Sequence, residues 1–129
     1  MLLRRLSLLL AFAWMAWIFY LSNQPVLDVP SLFPNQDKVL HFGAYAVLAS
    51  FVLGAMQRRA DGYSLTQILL ATAVASLYGI SDEVHQMYVP GRDPDVLDWL
   101  ADTCGALTAT LLLAWLSRWL LRSRARPAT

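Results

Sequence analysis

The chain has 129 residues, 57% of them hydrophobic and 15% charged, with a formal net charge of +1. A soluble domain carries about a quarter charged residues, whereas the few charges here are gathered into short stretches between four apolar segments. Four membrane spans of about 20 residues use most of the length, which excludes a separate soluble catalytic domain, a nucleotide-binding α/β domain and a repeat array. A near-zero charge without a long basic face excludes nucleic acid as a partner.

The first apolar run, Leu6 to Leu21, follows Arg4 and Arg5. Such a start is also that of a secretory signal. This run, however, is long for a signal core, is packed with Trp14, Trp17, Phe19 and Tyr20, and has no small-x-small cleavage site before Pro25, so an uncleaved anchor is expected. The remaining runs predict spans over about 41–57, 65–82 and 97–121, after a first span over about 6–22. The expected fold is therefore all-α: a four-span transmembrane bundle forming one domain over 1–129, with loops at 23–40 and 82–96 and a basic tail at 122–129. Arg4, Arg5, Arg58, Arg59, Arg118, Arg122, Arg124 and Arg126 all fall on one side of this arrangement, and only Lys38 and Arg92 on the other. Basic residues stay on the cytoplasmic side. Both termini are thus expected in the cytoplasm, with the first and third loops facing outward.

Small residues set where helices can approach in lipid. Ala71, Ala75 and Gly79 make a strip on the third span, Gly105 and Ala109 continue one on the fourth, and Ser50 and Gly54 stand on the second. These predict a tight group of the last three spans, with the large, aromatic first span outside it. Cys104 has no partner and reads as a packing residue. Asp28 and Asp61 read as loop or turn residues.

The informative residues cluster at the outward ends. Lys38, His41 and Tyr45 are spaced by three and four and share one helical stripe. If the third helix continues to Gln86, Asp82, His85 and Gln86 lie within about 100° of one another, with Glu83 some 60° beyond. Val89-Pro90-Gly91-Arg92 reads as a turn. Asp93 is expected to cap the fourth helix, with Pro94 at its first position and Asp95 favoured by the helix dipole. Asp98 and Asp102 then stand one turn apart on one face. Carboxylates in a span are costly, and the basic Lys38 and Arg92 leave this layer acidic. It therefore calls for protonated carboxyls, charged histidines or a bound cation.

The run Ser81-Asp82-Glu83-Val84-His85-Gln86, then Pro90-Gly91-Arg92, then Asp98, Asp102 and Gly105, resembles the VanZ-like family of small bacterial integral membrane proteins, as does Asp37-Lys38-Val39-Leu40-His41-Phe42 with Tyr45. The resemblance spans about 6–121. It implies a multi-pass protein of the bacterial inner membrane, with Lys38, His41, Glu83, Gln86, Arg92, Asp98 and Asp102 as signature residues. Many members carry Asn where this chain has Asp102. The family's namesake lowers susceptibility to teicoplanin, a lipoglycopeptide that acts on lipid-linked cell-wall precursor outside the membrane.

Two functions follow as expectations. The first is recognition of a lipid headgroup, a lipid-linked cell-wall precursor or a glycopeptide by a polar pocket of Lys38, His41, Tyr45, Asp82, Glu83, His85, Gln86, Arg92, Asp98 and Asp102. In this pocket Lys38 and Arg92 would contact phosphate or carboxylate, and the acids would accept from amines or hydroxyls. The second is a membrane-embedded enzyme acting on a lipid-linked substrate, with His41, Glu83, His85 and Asp98 as candidate acid–base groups. Glu83, His85, Asp98 and Asp102 would be the ligands of a metal-assisted version, but Glu83-x-His85 is not a usual helical ligand pair. No metal and no cofactor are expected, and membrane lipids are the expected surroundings. A small proton-coupled transporter fits the size but would need a carboxylate midway along the first span, which has none.

Overall fold

The computed structural model describes residues 1–25, 32–57 and 62–124. Asp28, Arg58, Arg59, Asp61 and Arg126, read above as loop and tail residues, lie outside the described residues. Four helices carry the described chain: α1 (Leu2–Ser22), α2 (Gln36–Met56), α3 (Leu65–Gln86) and α4 (Val96–Arg124). All four are long and apolar enough to cross a membrane. At 1.5 Å per residue α1 and α2 are about 31 Å long, which matches the hydrocarbon layer. The helices extend beyond several of the apolar runs because hydropathy marks the lipid-facing stretch, whereas a helix continues through its polar end turns.

Those ends have specific causes. Ser64 caps α3 in a reciprocal capping box: its hydroxyl accepts from the Gln67 amide while the Gln67 side chain accepts from the Ser64 amide. The turn Val89–Arg92 closes through the Arg92 amide to the Val89 carbonyl at 3.1 Å, with Pro90 leading and Gly91 at φ +79°. The cap of α4 differs from expectation. Asp95, not Asp93, accepts the Leu97 amide at 2.8 Å, and its carbonyl takes the first helical bonds. The helix therefore starts at Val96, and Pro94 stays in the loop.

Cross-helix contacts fix the topology. Ser7 lies against Gly54, and Trp14 Nε1 donates to the Ala44 carbonyl at 2.9 Å, so α1 and α2 are antiparallel. Thr72 meets Thr110 at 3.0 Å and Ser76 meets Thr103 at 2.7 Å, making α3 and α4 antiparallel. His41 opposite Asp102, with Phe42 against Gly105, runs α2 and α4 parallel. The α2–α4 pair is the most extensive contact, and α1 touches mainly α2. Ala71, Ala75, Gly79 and Gly105 are all buried at the centre, as their small-residue spacing predicts, whereas Ala109 is only half-buried and Ala106, beside Gly105, is buried in its place. Gly54 departs from that reading: it faces Ser7 of α1, not α3 or α4, because α1 also needs a close approach to α2.

The outside is apolar. Leu9, Phe12, Leu69, Leu77, Leu112 and Trp115 are all more than half exposed. Such a surface is stable where lipid is the solvent. Tyr78 ties α3 to α1 by donating to the Met15 carbonyl at 2.7 Å.

Candidate functional site

The amino ends of α2 and α4 and the carboxyl ends of α1 and α3 meet at one end of the bundle, and the polar residues gather there in two tiers. The outer tier is built on Lys38, in the first turn of α2. Its ammonium donates to Asp37 (3.0 Å) and Asp95, and lies 2.7 Å from Asp98 Oδ1. Lys38 thereby joins the α2 start to the α4 start across 57 positions of sequence. Its hydrogen bond, together with that from the Leu97 amide, holds the Asp95 carboxyl below the usual carboxylate range.

The inner tier lies one turn deeper. His41 Nδ1 is 2.9 Å from Asp102 Oδ1, while Nε2 is 3.9 Å from Asp98 Oδ2. Asp102 is fully buried. Gly79 makes this possible, since a Cβ there would come within 2.8 Å of Asp102 Oδ2 and 3.4 Å of the Tyr45 ring. Tyr45 is 1% exposed and lies nearly parallel to His41, with an interplanar angle of 5°. Glu83 accepts the Asp95 amide through Oε2 at 2.8 Å, so α3 is tied to the start of α4. Asp82 accepts from Gln86 at 3.2 Å, and both are buried.

The inner tier is rich in acceptors without donors. Among the described residues, Asp82 Oδ1, Glu83 Oε1 and Asp102 Oδ2 are buried with no hydrogen-bond partner, and the Tyr45 hydroxyl also lacks one. Buried oxygens of this kind are uncommon and costly. The solvent-reachable members of the niche are Asp37, Asp95 and, to a lesser degree, Lys38 and His41. Cavities of about 840 and 560 Å³ occur near the opposite end, around Arg4, Met56, Tyr63 and Arg118 in the first and around Arg4, Arg5 and Phe12 in the second.

Most of the residues expected from sequence therefore converge: Lys38, His41, Tyr45, Asp82, Glu83, Gln86, Asp98 and Asp102. Two do not join the carboxyls as expected. Arg92 turns to α1, where Nε donates to the Gln24 carbonyl (3.0 Å) and Nη2 to the Leu21 carbonyl (3.2 Å). The last carbonyls of a helix lack intrahelical donors, so Arg92 is taken up by the end of α1 and is not a free anion contact. His85 stacks on Phe19 of α1, with ring centroids 4.6 Å apart. The ligand atoms that come within 4.8 Å of one another belong to His41, Glu83 and Asp102, a set that replaces His85 with His41 and leaves out Asp98. In the sequence Asp95 reads as a partner of the α4 dipole and Asp37 as the first residue of a family-like run. Their shared bond to Lys38 is the part that sequence did not reveal, because it joins residues distant along the chain.

A four-helix membrane bundle with an acidic niche at one end defines the class. The VanZ/LLP1 family model matches residues 7–118, and the chain belongs to that family. No curated protein and no solved structure matches it.

Proposed function

We propose that the protein works at the outer face of the bacterial cytoplasmic membrane and recognises the ammonium group of an envelope molecule there. That molecule is an aminated lipid headgroup, a lipid-linked cell-wall precursor or a glycopeptide of the teicoplanin type. The observation that carries this reading is the acid surplus of the niche. Asp37, Asp82, Glu83, Asp95, Asp98 and Asp102 share one lysine and one histidine, while Arg92 is engaged by the Leu21 and Gln24 carbonyls. Lys38 is already divided among three carboxyls, so the groups left for a ligand are acceptors, and a cation is what they lack. The outward side follows from Arg4, Arg5, Arg118 and Arg122, which lie toward the other end and belong with the cytoplasmic surface.

The test pairs binding with phenotype. Full-length protein in vesicles is expected to bind teicoplanin, or phosphatidylethanolamine, at least tenfold more tightly than the N-acetylated form of the same molecule. Asp95→Asn removes that preference and the envelope phenotype of a complemented deletion strain. Arg92→Ala lowers thermal stability by about 1–2 kcal/mol, the scale of lost hydrogen bonds from a charged donor, and keeps the preference. Equal binding of acetylated and free amines overturns the reading.

A second reading, acid–base catalysis on a lipid-linked substrate, is favoured by one feature. Asp102 holds His41 through Nδ1 and leaves Nε2 without a close partner, the arrangement of an oriented general base. Turnover of labelled polyprenyl phosphate or phospholipid that disappears in His41→Ala would replace the first reading with this one.

A further inference from the structure

We infer that the inner tier binds a divalent transition-metal ion through His41 of α2, Glu83 of α3 and Asp102 of α4. This deepens the reading above, since it rests on the same acid surplus and assigns the buried part of it to a metal. The outer tier of Asp37, Asp95 and Asp98 then remains for the amine.

The geometry suits coordination. One nitrogen or oxygen from each residue lies within 4.8 Å of the others. Ligands about 2.0–2.2 Å from zinc stand roughly 3–4.4 Å apart, so small side-chain movements close the set around one ion. An imidazole with two carboxylates is a donor set for zinc or manganese rather than for soft, thiolate-seeking metals.

A second observation points independently to a ligand. Asp102 is 0% and Glu83 9% exposed, and each keeps one oxygen with no donor. Buried acceptors without donors are suited to a cation. The ligands are also held from behind, as metal ligands commonly are. The Asp95 amide fixes the second Glu83 oxygen, and Gly79 leaves room for Asp102 to reach inward. His85 has no part in this set. Its ring is taken up by Phe19, and the ligands come one from each of three helices instead of two from α3.

The test uses full-length protein in detergent, freed of metal with a chelator and titrated with Zn²⁺ by calorimetry. One Zn²⁺ per chain is expected. Glu83→Gln and Asp102→Asn, which keep side-chain size, weaken it at least tenfold, and Asp95→Asn leaves it within about twofold. The visible spectrum of the Co²⁺-loaded protein provides a second readout: nitrogen–oxygen coordination bands that change in His41→Ala. Circular dichroism and thermal melting establish that each variant scored is folded. No stoichiometric Zn²⁺ binding by wild type, or unchanged binding in folded Glu83→Gln and Asp102→Asn, overturns the inference. Amine preference in a protein that binds no Zn²⁺ would overturn it while leaving the proposed function standing. Zinc binding without amine preference would do the reverse.

Discussion

Replacing Gly105 with alanine is expected to disrupt the α2–α4 contact and cost about 3 kcal/mol, the upper part of the range for overpacking. A Cβ at this position would fall on the Phe42 carbonyl group, with backbone carbon and oxygen both inside contact distance. Main chain cannot rotate away as a flexible side chain can, so the two helices must separate along their length. His41 is adjacent to Phe42 and Asp102 lies about one turn before Gly105, so their 2.9 Å contact would be lost with the crossing. Thermal unfolding in detergent checks the stability, and Gly54→Ala is the comparison. There the obstacle is the Ser7 hydroxyl, a side chain that can move, so its effect should be the smaller. A Gly105→Ala protein as stable as wild type would contradict the α2–α4 packing described here.

Removal of the ammonium in Lys38→Met is expected to destabilise the protein by about 2–3 kcal/mol. That is somewhat below the figure for breaking a fully buried pair, because the Lys38 side chain is 22% exposed and water screens part of the interaction. The cost comes from Asp95 and Asp98, which would face each other at the start of α4 without the charge between them. Asp98→Asn added to Lys38→Met should therefore recover at least half of the loss. A double-mutant cycle by thermal unfolding measures this coupling. Additive effects of the two substitutions would show that Lys38 and Asp98 do not interact.

The helices and their small-residue seams are legible in the sequence because both follow local rules. Apolar runs of span length predict the four elements, and the strip Ala71, Ala75 and Gly79 predicts a buried face. The stripe Lys38, His41 and Tyr45 likewise survives into the structure, with the His41 and Tyr45 rings nearly parallel. Partner choice is less legible. Arg92 is recognisable as a charge in a turn, but its acceptors are the exposed carbonyls at the end of α1, whose position depends on how α1 docks. His85 lies at the edge of its helical arc, and only the placement of Phe19 decides which way it turns. Asp95 looks like a dipole partner for α4. It is also an acceptor for Lys38, and its amide anchors Glu83, because two loops bring three helix ends together. The same non-local assembly exchanges His85 for His41 in the set of closest ligand atoms.

The gathering of α2, α3 and α4 side chains around His41 is the claim on which the functional reading rests, and the ¹⁵N imidazole spectrum of His41 in full-length protein tests it most directly. A hydrogen-bonded Nδ1 is expected, its resonance moving in Asp102→Asn and, to a lesser extent, in Asp98→Asn and Glu83→Gln, but staying in place in Asp93→Asn. A His41 spectrum of a freely solvated imidazole, unchanged by all four substitutions, would contradict it.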